Sequence, residues 1–267
     1  MGKVKISVIM GIYNVEPTLE EALDSLLEQT YQDFEIVLCD DGSVDNTYQI
    51  AKNYRDKYPD KIVLLKNDKN MGLNYTLNNC LDYCSGEYIA RMDGDDVSVK
   101  TRFEKQVSFL DENPQYAFVS TTMVLFDEHG EFRTTKSIEC PIAEDCIKGS
   151  PFCHAPSMIR HEVFKKVNGY TNAKWAIRVE DVDLWIKLYA SDYKGYNISE
   201  PLYRMRDNRD AILRRKFRYR VNSTIVRIIG CKKLNLSLKY YFYSMRPIIV
   251  GLIPRPIYVF LHTRKTD

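Results

Sequence analysis

Along the first hundred residues, short apolar runs alternate with stretches in which apolar residues recur at helical spacing. The runs, which are typical of strands, lie at residues 4–10, 34–38, 62–65 and 88–92. Helical spacing is found at residues 19–27, 45–54 and 73–84. The run at 34–38 is nearly continuous, as expected for a strand that is covered on both faces. This alternation predicts an α/β fold with a mainly parallel central sheet and flanking helices.

Beyond residue 100 the pattern changes. Residues 103–110 have the spacing of a helix that ends near Asn113, and residues 116–126 form a long apolar run that predicts a strand. The sequence DEHG at residues 127–130 predicts a hairpin turn after that strand. A further helix is predicted from residue 180, with Leu184 and Leu188 on its apolar face.

Charge divides the chain unevenly. Residues 204–267 contain 16 Lys and Arg against 3 Asp and Glu, whereas the preceding residues contain 22 against 33. The chain therefore consists of an acidic body and a basic helical, amphipathic extension at residues 206–267. Basic and aromatic residues between short apolar runs fit a surface that lies on an anionic membrane leaflet. The extension can alternatively pack back on the body, while a nucleic-acid partner is disfavoured because no recognised binding module is present.

The cysteines and the apolar runs bear on the compartment. Seven cysteines form no recognised zinc spacing, and we interpret them as reduced residues of a cytosolic protein. The N-terminal apolar run, residues 6–10, is too short for a signal peptide. No stretch reaches the roughly 18–20 apolar residues of a membrane-spanning helix. We therefore expect a cytoplasmic protein that is peripheral on the inner face of the cell membrane.

Polar and acidic turns follow three of the predicted strands. They are GIYN at residues 11–14, DDGS at 40–43 and DGDD at 93–96. Taken alone, DGDD is either an ordinary acidic turn or a site for a divalent cation with a phosphorylated ligand. Ligands of parallel sheets bind at the carboxyl ends of the strands, where these three turns meet. Their coincidence favours a binding site.

Two common nucleotide-binding motifs are missing from the sequence. The first strand is followed by a single glycine, Gly11, and not by GxGxxG, and no GxxxxGK(S/T) motif occurs anywhere. A dinucleotide oxidoreductase and a P-loop enzyme are therefore disfavoured. What remains is a nucleotide held by side chains and a metal ion.

Several motifs, in this order and spacing, carry a family resemblance. They are SVIMGIYN at 7–14, QTY at 29–31, DDGSVD at 40–45, YIARMDGDD at 88–96, RF at 102–103, GY at 169–170, EDVDLW at 180–185 and PLYR at 201–204. Together they resemble the family 2 glycosyltransferases of the GT-A fold, over residues 4–205. Within that family the chain is most similar to bacterial enzymes of exopolysaccharide, capsule and surface-glycan synthesis. The resemblance implies a nucleotide-sugar-binding half at 1–100 and an acceptor-facing half at 101–205.

The resemblance also implies roles for residues of the first half. Asp41 would accept a hydrogen bond from the nucleotide base near Tyr13, and uracil offers the required N–H. Asp95 would bind Mn²⁺ or Mg²⁺ with Asp93 as its partner, while Asp96 is expected to cap the turn. Oxygen ligands of this kind suit such cations. Further donor-side roles are implied for Gly11, Asn14, Lys69, Gly72 and Arg91, although Lys69 can equally be a solvated loop residue and Arg91 a structural ion-pair partner.

In the second half, the resemblance places the general base on Asp181, with Glu180 beside it. On residue types alone, this acidic pair can equally be a helix N-terminus with favourable dipole interactions. The resemblance further implies that His154, Trp185 and Arg204 lie on the acceptor side. For His154, a buried structural role is the alternative.

The predicted activity is an inverting transfer of sugar from a nucleotide-diphosphate donor, a UDP-sugar, to a polyprenyl-diphosphate-linked glycan. A retaining mechanism has no candidate nucleophile here. Glycoside hydrolysis also uses paired carboxylates, but it would leave the acidic turns at the sheet edge unexplained. The alternative function is a GT-A-like scaffold that binds another protein through its basic extension.

Overall fold

The computed structural model describes residues 3–207 and 216–253, and within these ranges nine strands form a single sheet. The strands are β1 (Ile6–Ile12), β2 (Phe34–Asp40), β3 (Ile62–Lys66), β4 (Tyr88–Arg91), β5 (Val97–Ser98), β6 (Phe118–Asp127), β7 (Gly130–Thr134), β8 (Met158–Arg160) and β9 (Gly195–Arg206). The α-helices are α1 (Leu19–Leu27), α2 (Thr47–Lys57), α3 (Leu73–Leu81), α4 (Arg102–Glu112), α5 (Asp145–Lys148), α6 (His161–Lys166), α7 (Glu180–Ala190), α8 (Phe217–Lys233), α9 (Leu238–Ser244) and α10 (Arg246–Leu252). A 3₁₀ helix spans Lys174–Ala176.

The sheet is parallel in its first half and mixed in its second. Its order is β3-β2-β1-β4-β8-β6-β9-β5, and β7 pairs with β6. Strands β1 to β4 are parallel, as the alternating pattern predicts. Strand β8 lies antiparallel between β4 and β6, and β9 runs parallel to β6. The predicted hairpin is confirmed, since Asp127 at the end of β6 pairs with Gly130 at the start of β7.

Helices cover both faces of the sheet and create two apolar cores. Successive residues of a strand belong to different cores, as Val8 and Ile9 of β1 show. Helix α1 covers one face with Leu19 and Leu23, whereas α3 covers the other face with Leu77. Burial on both faces explains the continuous apolar sequence of β2, in which every residue is buried.

The described part of the basic extension packs against the body. Helix α8 lies against α7, where a side chain at Gly230 would collide with Ile186. Val226 and Cys231 of α8 are buried in the same core as Trp185. Residues 208–215 and 254–267 of the predicted extension lie outside the described residues, and the division at 205 and 206 stays a prediction. In the described ranges, no helix combines the length and the apolar character needed to cross a membrane.

Candidate active site

The carboxyl ends of β1, β2 and β4 border a cavity of about 600 Å³, called the first cavity here. The predicted residues Gly11, Tyr13, Asp41, Gly72, Asp93 and Asp95 all line it. Its far wall comes from the segment before α7 and the first residue of that helix, and it includes Asn172, Ile177, Arg178 and Glu180. The structure therefore brings the polar turns of three strands together with the start of α7, as expected for a site at the edge of a parallel sheet.

Asp41 is 4% exposed and is held by three hydrogen-bond donors. Its Oδ1 accepts bonds of 2.8 Å from the side chain of Asn67 and from the backbone N–H of Met71. Its Oδ2 accepts a bond of 2.9 Å from the backbone N–H of Gly72. An ionised carboxylate has about four acceptor positions, so one is left for a ligand. Asp41 thus also fixes the loop between β3 and α3 that forms one wall of the cavity.

Two glycines allow this wall to form. Gly72 has a φ of +90°, a conformation that side chains with a Cβ rarely adopt, directly before α3. Gly42 has a φ of +74°, and a Cβ there would lie 2.8 Å from the backbone of Lys69. The loop after β2 therefore packs closely on the loop after β3. Asn14 joins a third loop to them, because its Oδ1 accepts the backbone N–H of Val44 at 3.0 Å.

Three carboxylates gather at the end of β4. Oxygens of Asp93, Asp95 and Asp96 lie within 4.8 Å of one another. Desolvation by the surrounding protein, followed by the negative charge of Asp93, raises the pKa of Asp95. Burial, followed by the charges of Asp93 and Asp95, raises the pKa of Asp96 to about 8. Such mutual repulsion is relieved by a cation, and the oxygen donors fit Mn²⁺ or Mg²⁺.

The three carboxylates differ in their surroundings. Asp95 is exposed to the first cavity, whereas Asp96 is buried and accepts the backbone N–H of Arg206 at 2.8 Å. Asp96 therefore ties this loop to β9. The Oδ1 of Asp93 accepts a bond of 2.5 Å from the guanidinium of Arg91. Asp93 and Asp95 thus have the access that a metal ligand needs, and Asp96 has a structural bond.

A second cavity of about 960 Å³ adjoins the first. Asp93, Arg178 and Glu180 line both cavities, whereas Arg91, His154 and Asp181 line only the second. Although burial opposes its charge, Asp93 raises the pKa of Arg91 above its ordinary value. The resemblance implies a donor-side role for Arg91. In the structure Arg91 binds Asp93 and lines the second cavity, and it does not line the first.

The acidic pair begins α7 where the cavities meet. The Oε2 of Glu180 is buried and has no hydrogen-bond partner among the described residues, and burial followed by Asp181 raises the pKa of Glu180. Asp181 accepts a bond of 2.9 Å from the Ser150 hydroxyl, on the side of the second cavity. The first turn of α7 therefore places two carboxylates at the cavities: Glu180 lies where the two cavities meet, and Asp181 lies in the second cavity alone.

His154 is partly buried at the wall of the second cavity. Its Nε2 lies 3.0 Å from the hydroxyl of Tyr170, and its ring lies edge-on to Trp185. Burial, and then the charge of Arg91, lower the pKa of His154 well below its ordinary value. The imidazole is therefore neutral near pH 7 and serves as a hydrogen-bonding group.

Four predicted site residues lie away from both cavities. Trp185 is fully buried and stacks on Phe118, which corrects the expectation that it faces the acceptor; it supports His154 from the core. Arg204 points away and pairs with Glu131 of β7 at 3.0 Å, because neighbouring residues of a strand face opposite sides and Met205 takes the side of the cavity. Lys69 is exposed outside the first cavity. Asn14, as described above, joins the loop after β1 to the loop after β2 by a hydrogen bond.

Two further features of the site could not be predicted from the sequence. Arg178 lines both cavities and has a φ of +64°, which is uncommon for a residue with a side chain. Its position depends on the loop before α7, which carries no motif. Residues of α8 and α10 also line the second cavity, because the described part of the basic extension packs against the half at residues 101–205.

A family model and a curated relative identify the family of this chain, and a solved structure shares its fold. The family model described as "Glycosyl transferase family 2" matches residues 7–182. EpsE of Bacillus subtilis is 41% identical over 98% of this chain and 94% of its own length. WfaP of Escherichia coli, named as a UDP-Glc:alpha-D-GlcNAc-diphosphoundecaprenol beta-1,3-glucosyltransferase, is 24% identical over 91% of this chain and 94% of its own. The mannosyltransferase PcManGT of Pyrobaculum calidifontis, solved with GDP-Man and Mn²⁺, has a TM-score of 0.67 at 17% identity, over 99% of this chain and 80% of its own.

Proposed function

This chain belongs to glycosyl transferase family 2, and on that premise we propose that it transfers a sugar from a UDP-sugar to a lipid-linked glycan during synthesis of a bacterial exopolysaccharide or surface polysaccharide. One observation carries the proposal. Two cavities meet at Asp93, Arg178 and Glu180, with carboxylates suited to a metal on one side and a carboxylate suited to a base on the other. A scaffold that only binds proteins needs no such arrangement.

The first cavity is assigned to the donor. Asp41 accepts the N–H of the uracil base with its remaining acceptor position, and Tyr13 borders the base. The diphosphate lies toward Asp95 and Asp93, which would hold Mn²⁺ or Mg²⁺. When bound, the metal stabilises the negative charge of the departing diphosphate. Support comes from the grouping of three carboxylates and from the Mn²⁺ present in the related mannosyltransferase structure.

The second cavity is assigned to the acceptor. Asp181 takes the proton from the attacking hydroxyl while that oxygen bonds to the anomeric carbon from the side opposite the leaving diphosphate. The configuration at that carbon is therefore inverted. The Ser150 hydroxyl holds the Asp181 carboxylate in place, and the unpartnered oxygen of Glu180 accepts a second hydroxyl of the bound sugars. The carrier lipid of the acceptor is supported by the name of WfaP, in which the acceptor is a diphosphoundecaprenol-linked sugar.

A donor screen tests this function. The melting temperature of the full chain is measured with UDP-, GDP- and dTDP-sugars, with and without Mn²⁺. A UDP-sugar at a hundredfold excess over its Kd is expected to raise it by about 5 °C or more, and only with Mn²⁺. ATP with Mn²⁺ is the control for unspecific binding of phosphate. No metal-dependent shift and no sugar transfer with any donor would contradict the proposal.

We also assign an anionic membrane surface to the extension, on the inner face of the cell membrane. Five exposed apolar residues of α9, α10 and the single residue between them recur every three or four positions: Leu238, Phe242, Met245, Ile249 and Leu252. This spacing places them on one side of the two helices, and we call them the outer apolar row. Phe242 is 78% exposed and Leu252 70% exposed. Exposed apolar side chains beside basic residues are typical of helices that lie in a membrane interface.

Vesicle binding tests the outer apolar row. Full-length protein is expected to sediment with phosphatidylglycerol vesicles, and the double variant Phe242→Ser/Leu252→Ser is expected to bind about tenfold more weakly or worse, since each side chain loses apolar burial in the lipid. Deleting the whole extension is unsuitable as a test of membrane binding, because the deletion would remove the buried residues Val226 and Cys231 from the core. The control is Tyr83→Ser/Ile138→Ser, which removes two exposed apolar groups elsewhere. Equal binding of the two double variants would refute the assignment.

A further inference from the structure

The second cavity has a basic wall for which the sugar-transfer chemistry has no use. Besides Arg91, which pairs with Asp93, six basic residues of the described ranges line this cavity and are called the basic wall here: Lys148, Arg178, Lys216, Arg220, Arg227 and Arg246. Three acidic residues line this cavity in the described part of the chain: Asp93 and Glu180 lie at the junction with the first cavity, and Asp181 is next to Glu180. The acidic residues thus gather near the junction, with Arg91 and Arg178 beside them, whereas the lining residues that α8 and α10 contribute include basic side chains and no acidic one. Such an arrangement attracts a ligand that is neutral at one end and anionic at the other.

Helix α8 supplies much of the basic wall from one face. Lys216, directly before the helix, and then Arg220, Ser223 and Arg227 follow one another at intervals of four, three and four residues, which is the spacing of a single helix face. Arg227 is the inner end, since its Nε donates to the Ile147 carbonyl at 2.9 Å and the nearby charge of Asp181 interacts with its guanidinium. At 1.5 Å per residue, Arg220 lies about 10 Å further along the helix axis. The wall therefore extends away from the base toward the start of α8.

Helix α10 closes the wall on its other side. A Cβ on Gly251 would lie 2.5 Å from the Cδ of Arg220, so the glycine lets α10 approach the arginine closely. Arg246, Pro247 and Val250 of α10 line the cavity, whereas Ile249 of the same helix belongs to the outer apolar row. One short helix thus has a cationic and apolar inner side and an apolar outer side. The anion site and the surface assigned to the membrane are next to each other.

We propose that the basic wall binds the diphosphate that joins the acceptor sugar to its lipid, at a subsite separate from that of the donor diphosphate. The inference rests on the proposed function, because it assumes that the acceptor is lipid-linked. Guanidinium groups match phosphate oxygens in pairs, and the first turn of the 17-residue α8 adds its positive dipole end. In this arrangement the acceptor sugar lies toward Asp181. The lipid chain runs along Pro247 and Val250 toward the outer apolar row.

Binding of farnesyl diphosphate tests the subsite. Full-length protein, with its donor site filled by UDP and Mn²⁺, is titrated calorimetrically with farnesyl diphosphate and with farnesyl monophosphate. We expect the diphosphate to bind more tightly. In the double variant Arg220→Gln/Arg246→Gln its Kd is expected to rise about tenfold or more, because two charge-assisted contacts are lost. The charge-preserving variant Arg220→Lys/Arg246→Lys restores much of the affinity.

The matched control is Lys232→Gln/Lys233→Gln. It removes the same charge from exposed positions of α8 outside the cavity, and we expect the Kd to change by less than about twofold. An equal rise in both glutamine variants would show unspecific attraction and overturn the proposal. Displacement of farnesyl diphosphate by phosphatidylglycerol vesicles at equal phosphate would instead identify a phospholipid headgroup site, and would also overturn it.

The subsite and the proposed function can fail separately. If the enzyme transfers sugar to a lipid-linked acceptor but the Arg220→Gln/Arg246→Gln variant keeps its KM for that acceptor, only the subsite is wrong. If no donor supports transfer, the titration is repeated in EDTA without UDP. Binding that depends on Arg220 and Arg246 in that experiment retains the anion subsite, while its absence overturns it.

Discussion

Replacing Asp181 with asparagine is expected to lower kcat by roughly two to four orders of magnitude, the usual contribution of a general base. The amide keeps the shape of the side chain and can still accept the hydrogen bond from Ser150, so the fold is retained. Asp181 does not line the first cavity, and binding of UDP with Mn²⁺ should therefore be unchanged. The measurements are steady-state sugar transfer and calorimetric UDP binding on the same preparation.

Asp192→Asn is the matched control for this variant. Asp192 follows the other end of α7 with a φ of +61°, a conformation that asparagine adopts readily, and it lines neither cavity. Its kcat should stay within about twofold of the parent enzyme, as for surface substitutions without special contacts. The neighbouring variant Glu180→Gln decides the assignment of the base. If it loses activity by orders of magnitude while Asp181→Asn stays active, the base is Glu180 and our assignment is wrong.

Removal of the Asp95 carboxylate should affect metal binding and stability in opposite ways. The variant Asp95→Ala is expected to lose the Mn²⁺-dependent rise in melting temperature on adding UDP, and about a thousandfold in kcat/KM, since a metal supplies several kcal/mol at such a site. Without metal, however, it should melt slightly higher than the parent protein. Asp95 is one of the charges that repel Asp96, and its removal relieves that repulsion.

The control for this experiment is Asp68→Ala. Asp68 is an exposed aspartate of the loop between β3 and α3, and it lines neither cavity. It should leave both the UDP response and the melting temperature close to those of the parent. Full activity of Asp95→Ala, or an undiminished Mn²⁺ response, would exclude Asp95 as a metal ligand.

The first half of the fold follows directly from local sequence. Strands β1 to β4 are short, apolar and separated by helices of regular spacing, so their order in the chain indicates a parallel sheet. The turns after β1, β2 and β4 meet at one edge for the same reason, which is why Asp41, Asp93 and Asp95 could be assigned together. Predictions of this kind depend only on strand direction.

The second half depends on pairing register, which local sequence does not contain. The pairing of β9 with β6 shifts twice, between Thr121 and Thr122 and between Thr122 and Met123. These shifts decide which side each residue of β9 faces, and they turn Arg204 away from the site. The three-residue strand β8 has too few residues to show a period. The same limit applies to Trp185, which enters the core because α7 turns that face toward Phe118.

The basic extension shows a different limit. A run of basic residues in a sequence is equally compatible with a solvated face, a membrane surface and the wall of a cavity. The close packing of Gly230 on Ile186 turns one face of α8 toward the second cavity. The decisive property is therefore the packing of an uncharged residue, Gly230, and it becomes visible only in the packed structure.

The junction of the two cavities also bears on how specificity can diverge within the family. The segment at residues 172–181 contributes Ile177 to the first cavity alone, Asp181 to the second alone, and Arg178 and Glu180 to both. Given the proposed assignment of the first cavity to the donor and the second to the acceptor, we expect a substitution at a shared position to alter the choice of donor and the choice of acceptor together. Substitutions at Ile177 or in α8 are expected to change one choice without the other. On the same proposal, natural variants and designed enzymes acquire new sugars independently through the unshared walls, while the shared positions couple the two specificities.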